Sequence, residues 1–319
     1  MRAVMLLLLA VLTTGCSVLS IDLSPRIRPL EEETVEGSGD AKIVLMDFSG
    51  FLSDESTSSL LNITTPPARV PLLVRVREEL KKATDDPKVK ALVLRINTPG
   101  GTVTASNVIF RELELFKREK KIPVVAVMMD VAASGGYYVA LAADTIVAHP
   151  TTVTGSIGVV MLSFNAEGLM QKLGVSANTI KSAERKDMGS PFRALTPEER
   201  AIFQSVIDEL YRQFVVKVVE RRRLPESTAR ALGDGRVYTA EQALSHKLID
   251  RVGYMPDALE LARQAAGVDK ARVVVYHRPR QYRATYYAES EGGLLSGSAL
   301  GGVGALIGPS PKFLYLWLP

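Results

Sequence analysis

Cysteine and histidine are scarce in this chain of 319 residues, and so are the patterns of basic residues that are typical of nucleic-acid binding. Cysteine occurs once, at Cys16, so no disulfide can form within one chain. The three histidines are His149, His246 and His277, and none has neighbours arranged like those of a catalytic base. The net charge is only +4, and no run of arginine or lysine alternates with aromatic residues. We therefore expect no nucleic-acid partner.

The first sixteen residues have the pattern of an export signal. Met1-Arg2 supply positive charge, and Val4–Leu12 form an apolar run that is too short for a permanent membrane-spanning helix. The run ends at Thr13-Thr14-Gly15-Cys16, which resembles a bacterial lipobox except that Thr13 stands where leucine is usual. We expect residues 1–16 to be a signal peptide, with Cys16 lipidated and the protein anchored to a membrane of the bacterial cell envelope, outside the cytoplasm. Ordinary secretion or an uncleaved anchor is the alternative.

A tether, one folded domain and a tail are expected to follow the signal. Residues 17–41 are mostly polar and acidic and contain proline, which is typical of a tether between membrane and domain. Residues 42–276 carry the patterned, apolar part of the chain and form the predicted domain. Residues 277–319 are rich in glycine and serine, and we expect a flexible tail whose apolar end, Phe313–Leu318, docks on another surface.

Within the domain, short runs rich in valine, isoleucine and leucine alternate with helical stretches. This alternation favours an α/β fold with a largely parallel, buried sheet. Strands are predicted at Lys42–Phe48, Ala91–Ile96, Val124–Met129, Thr145–Ala148, Ile157–Met161, Ser176–Ile180 and Arg272–Tyr276, and helices at Leu72–Lys82, Ala105–Lys117, Pro197–Arg223, Thr239–His246 and Pro256–Ala266.

Two glycine pairs follow predicted strands, and one of them is preceded by a serine. These are Gly100-Gly101 and Ser134-Gly135-Gly136. Glycine permits a sharp turn and leaves backbone N–H groups uncovered by a Cβ atom. A serine at such a turn presents its hydroxyl beside donors for an oxyanion, as acyl transfer requires. Taken alone, Ser134 is more simply interpreted as a helix N-cap serine in a tight turn.

A nucleophilic serine also needs a base, and no histidine is well placed. A lysine can serve instead if burial lowers its pKa so that the neutral amine is populated. Lys186 is a candidate, although composition alone does not separate it from Lys181.

Several ordered motifs resemble the signal peptide peptidase A family of bacterial serine proteases, in its short, single-copy form. The resemblance covers about residues 42–266. It rests on Asn97–Gly101, Ala133–Tyr138, Thr154–Val159, Lys186-Asp187 with Ser190-Pro191, Leu195–Glu199 and Asp234–Tyr238.

The resemblance implies a role for each matching residue. Ser134 is the nucleophile, Lys186 is its general base, and Ser156 orients the lysine amine. The amides of Gly101 and Gly135 form the oxyanion hole. The implied fold is the Clp-protease/crotonase-like α/β superhelix of repeated strand-strand-helix units, and the mechanism needs no metal or other cofactor.

The implied function is a membrane-associated serine endopeptidase that degrades cleaved signal peptides or similar apolar peptides through an acyl-enzyme. The implied assembly is a homo-oligomer in which the serine and lysine of one site come from different protomers. Two alternatives share the fold: a crotonase-like acyl-CoA enzyme and a non-catalytic membrane scaffold.

Overall fold

The computed structural model describes residues 28–54, 70–279, 285–287 and 313–317. The predicted signal peptide, Cys16 and the first part of the predicted tether lie outside these residues. Among the described residues, no helix is long and apolar enough to cross a membrane.

The described residues form twelve strands, eight α-helices and one 3₁₀ turn. The strands are β1 (Glu31–Gly37), β2 (Ala41–Ser49), β3 (Val89–Thr98), β4 (Gly100–Thr102), β5 (Val124–Ala133), β6 (Thr145–Ala148), β7 (Val153–Gly155), β8 (Val160–Met161), β9 (Val237–Thr239), β10 (Arg251–Val252), β11 (Ala271–His277) and β12 (Phe313–Leu316). The helices are α1 (Leu72–Asp85), α2 (Val103–Lys120), α3 (Gly135–Ala140), α4 (Glu167–Lys172), α5 (Pro197–Arg222), α6 (Glu226–Leu232), α7 (Ala240–Ser245) and α8 (Met255–Ala265), and the 3₁₀ turn is Glu184–Asp187.

Most strands join one mixed sheet in the order β1-β11-β2-β3-β5-β6-β10, with β7 beside β5 and β9 beside β7. All neighbours from β11 to β10 run parallel. Both faces are covered: Leu92 and Leu94 of β3 belong to the core beneath α1 and α2, whereas Ala91 and Val93 belong to the core beneath α8. Burial on both faces explains why these strands are almost continuously apolar. The predicted α/β fold with a largely parallel sheet is confirmed.

Two of the predicted strands are wrong wholly or in part. Ser176–Ile180 forms no strand, and Ile180 is fully exposed, because no neighbouring strand pairs with this stretch. Of the run Ile157–Met161, only Val160–Met161 is extended and paired. Apolar character alone does not make a strand where a hydrogen-bonded partner is missing.

The predicted tether is also wrong over its second half. Glu31–Gly37 forms β1 and pairs antiparallel with β11 at the edge of the main sheet. Lys42 binds Glu32 and Asp86 through its amine, which connects β1 to the body of the domain. The acidic side chains that favoured a solvated tether are typical of an exposed edge strand, where charge discourages pairing with other chains.

The predicted flexible tail needs a similar correction at both ends. His277 is the last residue of β11, and Phe313–Leu316 is an ordered, largely buried strand. The predicted docking of the apolar end is confirmed. The intervening residues 280–284 and 288–312 lie outside the described part of the chain.

The end of β5 is positioned by a neighbouring strand that differs from the one beside its first half. Val125–Met128 pair with β6, and Val131–Ala133 pair with β7. On its other side β5 follows β3 as far as Thr98, opposite Ala132. The residue after β5 is therefore held between two short loops, those that follow β3 and β7.

Candidate active site

Ser134 occupies the junction between β5 and α3 in an unusual backbone conformation. Its φ is +51° and its ψ is −111°, in a region that residues other than glycine rarely adopt. Its N–H donates to the Gly155 carbonyl at 2.7 Å, and its carbonyl accepts from Tyr138 N–H at 2.9 Å. Such strain persists only where the surrounding structure imposes it, and it is concentrated at functional sites.

The Ser134 hydroxyl is buried and has no hydrogen-bond partner in the part of the chain that the structure describes. The residue is 1% exposed, and its Oγ makes no hydrogen bond to any described residue. A buried polar group without a partner costs about 1–3 kcal/mol. Strain and an unsatisfied hydroxyl at one position together favour a reactive group over a helix cap, and the Ser134 side chain makes no capping bond to α3.

The two glycine turns meet beside this serine. Gly100 has φ +110°, and a Cβ placed on it would lie 2.9 Å from Gly135 N. A Cβ on Gly135 would clash with the Ser106 hydroxyl, and one on Gly101 would clash with the Leu52 carbonyl. The turns can approach this closely only as glycines, which leaves their backbone amides uncovered.

Ser156 lies next to Ser134 through β7. Gly155 is paired with Ala133 and accepts the Ser134 N–H bond, and Ser156 directly follows it. Ser156 is 7% exposed, has φ +50°, and donates its N–H to the Arg236 carbonyl at 2.8 Å. The structure thus brings together four of the predicted site residues: Ser134, Gly101, Gly135 and Ser156.

Lys186 does not join them within one chain. It lies on the 3₁₀ turn Glu184–Asp187, and its side chain is exposed. Ser134 Oγ, by contrast, is buried and bonded to no described residue, Lys186 included. The predicted serine–lysine pair is therefore not formed by the described residues of a single protomer.

Arg193, which sequence reasoning missed, fixes the turn that carries Lys186. Its guanidinium donates to both carboxylate oxygens of Asp187 at 3.0 and 2.8 Å and to Glu199 at 2.9 Å. Lys181 adds a bond to Asp187 at 2.8 Å. Hydrogen bonds from Arg193 hold the pKa of Asp187 well below its usual range and lower that of Glu199 to about 2. Asp187 and Glu199 each lie six residues from Arg193 in the sequence, and this symmetric spacing of opposite charges is the pattern from which the ion pairs could have been predicted.

The histidines make contacts elsewhere. His149 Nδ1 is bonded to Thr151, the ring of His246 packs against Tyr238, and His277 lies 3.4 Å from Glu33. Since Ser134 Oγ has no described partner, no described histidine is bonded to it. The described residues also contain no group of three or more histidines, cysteines and acidic residues that could hold a metal ion.

The sequence predicted that the apolar end of the chain docks on another surface, but not that this surface lies beside Ser134. β12 pairs antiparallel with β4 on one side and with β8 on the other, forming a small separate sheet. Tyr315 lies opposite Gly101 and Leu316 opposite Gly100. The glycine turn next to Ser134 is therefore one wall of a groove that accepts an extended strand.

Comparison with known proteins assigns this arrangement to a family. The sequence profile of peptidase family S49 matches residues 116–269, which include Ser134 and Lys186. A protein of Enterococcus faecium named as a signal peptide peptidase is 35% identical over 77% of this chain and 70% of its own length. A protein of Synechocystis named as a protease is 42% identical over 60% of this chain and 69% of its own. The chain belongs to peptidase family S49.

Membership of family S49 confirms the resemblance noted in the sequence and the Clp-protease-like α/β fold that it implied. The chain is a serine peptidase, as is the chloroplastic serine protease of Arabidopsis thaliana, which is 37% identical over 68% of this chain and 32% of its own length. Family S49 membership argues against both alternatives, the acyl-CoA enzyme and the non-catalytic scaffold.

Proposed function

We propose that this chain is a membrane-associated endopeptidase that hydrolyses cleaved signal peptides and similar apolar segments with Ser134 as nucleophile. The proposal is carried by the strained backbone of Ser134 and by its buried hydroxyl, which has no partner among the described residues and lies beside uncovered glycine amides. The substrate class is supported by the name of the Enterococcus faecium relative, a signal peptide peptidase.

The proposed mechanism uses only side chains and amides of this protein and water. The neutral amine of Lys186 takes the Ser134 proton as Oγ attacks the peptide carbonyl carbon. The Gly101 and Gly135 amides stabilise the oxyanion, a contribution of roughly 3–4 kcal/mol to lowering the barrier. The C–N bond then breaks, the lysine ammonium protonates the leaving amine, and an ester to Ser134 is left. Water, deprotonated by the same amine, hydrolyses the ester and restores both residues.

A second copy of the chain supplies Lys186 in this proposal. Within one protomer Ser134 Oγ has no described partner and the Lys186 side chain is exposed. Ser156 lies beside Ser134, where it could orient an incoming amine. The segment 164–206, which contains Lys186, also holds seven of the ten large hydrophobic residues that are exposed among the described residues, and a second copy of the chain could cover them. These seven are Phe164, Leu169, Leu173, Val175, Ile180, Phe192 and Val206.

Membrane attachment is proposed to come from Cys16. The apolar run Val4–Leu12 followed by Gly15-Cys16 supports lipidation, which places the catalytic domain outside the cytoplasm of a bacterial cell. Labelling with a radioactive or clickable fatty acid should be lost in Cys16→Ala. Labelling that persists in this variant would rule out lipidation at Cys16.

The nucleophile is tested with a fluorophosphonate probe and a chromogenic peptide. Wild-type protein should be labelled at Ser134, and Ser134→Ala and Lys186→Ala should each lower kcat/KM on the order of a thousandfold or more. The rate should rise from neutral to alkaline pH, because only a neutral amine can accept the proton. His149→Ala serves as the matched control and should keep wild-type activity. Loss of activity in a folded His149→Ala protein, or labelling at another serine, would contradict the assignment.

A further inference from the structure

A buried threonine, Thr98, lies between the two glycine turns that border Ser134. It is the last residue of β3, it is fully buried, and its backbone lies opposite Ala132 near the end of β5. The proposed reaction does not use its hydroxyl, and a buried hydroxyl costs free energy unless it is hydrogen-bonded. The partners of this hydroxyl therefore indicate which parts of the site it holds in place.

The Thr98 hydroxyl connects the Gly100-Gly101 turn to the segment that follows β2. It accepts the Gly100 N–H bond at 3.0 Å and donates to the Gly50 carbonyl. The Gly100 carbonyl oxygen also lies 3.2 Å from the hydroxyl oxygen. Glycine has access to more backbone conformations than any other residue, so these bonds restrict a turn that would otherwise be free to move.

Neighbouring backbone bonds set the direction of the Gly101 amide. Leu52 N–H donates to the Gly100 carbonyl, and Thr102 N–H donates to the Leu52 carbonyl, both at 2.9 Å. Backbone groups of successive residues in an extended strand point to opposite sides, so the Gly101 N–H points away from Leu52. Gly101 is one of the two predicted oxyanion donors, and the Thr98 hydroxyl holds the residue directly before it.

The Thr98 methyl group contacts the second glycine turn, which carries the other predicted donor, Gly135. A Cβ on Gly136 would lie 2.7 Å from Thr98 Cγ2 and 3.0 Å from the Thr98 carbonyl oxygen. Thr98 is thus packed against the Gly136 backbone without space for one further carbon atom. One buried side chain therefore contacts both turns, the first through its hydroxyl and the second through its methyl group.

We propose that Thr98 is a positioning residue that sets the separation and direction of the Gly101 and Gly135 amides, and with them the geometry of the oxyanion hole. This inference rests on the proposed function of Ser134. Donors stabilise a developing negative charge at about 2.7–3.1 Å, and a displacement of about 1 Å can cost roughly a hundredfold in rate. Because Thr98 is fully buried, it acts through the two turns and not on the substrate.

Two substitutions separate the hydroxyl from the methyl group. Thr98→Val keeps the shape and removes the hydrogen bonds, whereas Thr98→Ser keeps the hydroxyl. Thr98→Val should lower kcat for a chromogenic peptide on the order of tenfold to a hundredfold with KM little changed, because the oxyanion forms only in the transition state. Thr98→Ser should keep most of the wild-type kcat. The pH at which the rate rises should be the same in all three proteins, since the base is unaltered.

A peptide aldehyde tests the oxyanion hole directly. Ser134 Oγ bonds to the aldehyde carbon, the carbonyl electron pair moves to oxygen, and the serine proton passes to the base. The adduct thus carries an oxyanion where the substrate would. Its affinity should fall in Thr98→Val by the same factor as kcat/KM. The uncleaved parent peptide should bind Ser134→Ala protein equally well with and without Thr98→Val.

Thr152→Val is the matched control. Thr152 is also buried, and its hydroxyl donates to the Met128 and Met129 carbonyls of β5 and to neither glycine turn. This variant should lower the melting temperature about as much as Thr98→Val and leave kcat and aldehyde affinity unchanged. Equal loss of activity in the two folded valine variants would overturn the proposal, and so would a folded Thr98→Val protein with wild-type kcat and aldehyde affinity.

Should Thr98→Val fail to fold, Thr98→Cys gives the same information. A thiol is close to a hydroxyl in size and a much weaker hydrogen-bonding group. The kcat and the aldehyde affinity of Thr98→Cys should therefore fall together below those of Thr98→Ser. Equal values in the cysteine and serine variants would overturn the proposal.

Fluorophosphonate labelling separates this inference from the proposed function. Wild-type protein that is labelled at Ser134 and hydrolyses no peptide would contradict the proposed function. The labelling rate would then decide the role of Thr98, because phosphonylation of the serine needs the same oxyanion donors. It should be at least about tenfold slower in Thr98→Val, and equal rates would overturn the inference. A wild type that is neither labelled nor active would overturn both.

Discussion

Arg193 is the residue that connects the turn carrying Lys186 to the rest of the domain. Two of its guanidinium nitrogens donate to the Asp187 carboxylate, and the third nitrogen donates to the Glu199 carboxylate. Bidentate Arg–carboxylate bonds fix orientation as well as distance. Because Asp187 adjoins Lys186, Arg193 fixes the position of the Lys186 backbone on its own domain. In the proposed shared site, that position sets where the lysine meets Ser134 of a second copy. We regard it as a positioning residue.

Replacing Arg193 tests this role. Arg193→Ala should lower kcat about tenfold or more, since every 1.36 kcal/mol of lost transition-state stabilisation is a factor of ten, while KM changes little. Arg193→Lys keeps the charge without the planar fork and should restore only part of the activity. Arg212→Ala removes an exposed arginine whose ion pair is with Glu209 of the same helix, and it should be neutral. Equal rises in KM for the alanine and lysine variants, with kcat unchanged, would assign Arg193 to substrate binding instead.

At the scale of elements, the start of α5 combines a helix cap with this ion-pair cluster. Thr196 Oγ1 accepts the Glu199 N–H bond, and the Glu199 carboxylate accepts the Thr196 N–H bond, forming a capping box. The same carboxylate binds Arg193. One buried glutamate therefore both begins the long helix and holds the Lys186 turn against it.

Acid should weaken this junction. Bonds from Arg193 and Thr196 lower the pKa of Glu199 from 4.5 to about 2 in the folded protein. A carboxyl with a lowered folded pKa stabilises the protein fully above its unfolded value, and the contribution is lost as pH falls toward about 2. Glu199→Gln keeps the capping pattern but cannot titrate. Its melting temperature should fall less steeply than that of wild type between pH 4.5 and 2.5, and identical slopes would exclude Glu199 as a contributor.

At the scale of the whole molecule, the described residues of one chain do not bring the proposed nucleophile and the proposed base together. Four predicted site residues converge at the end of β5, whereas the lysine lies on an exposed turn within a segment that carries several exposed apolar side chains. Burying these side chains against a second copy would add hydrophobic stabilisation of about 25 cal/mol per Å² of apolar area. The same contact would supply the missing base.

Mixing two inactive variants tests the shared site. Ser134→Ala and Lys186→Ala proteins, unfolded and refolded together, should regain part of the wild-type activity, because some sites then combine an intact Ser134 with an intact Lys186. Each variant refolded alone is the control and should stay inactive. Native mass spectrometry establishes whether mixed assemblies form. Mixed assemblies without activity would place both residues of a site in one chain.

Local patterns in the sequence were enough to predict several features of this protein. Buried parallel strands are apolar over their whole length, so β2, β3, β5 and β6 could be located from composition. The α5 cap could be located from Thr196 and Glu199, and a serine followed by two glycines identified the turn at Ser134. These features depend on backbone conformation and periodicity, which neighbouring residues control.

Other features depend on pairing with strands that are distant along the chain, and only the tertiary structure reveals them. Glu31–Gly37 became a strand because β11 offered an edge, and Ser176–Ile180 did not because no partner faced it. Phe313–Leu316 pairs with β4 and β8, which lie more than 150 residues earlier in the chain. Pairing across such separations is a property of the assembled fold, and local patterns do not encode it. For the same physical reason, the sequence predicted Ser134 and Lys186 as a catalytic pair but did not determine whether the two residues of one site come from one chain or from two.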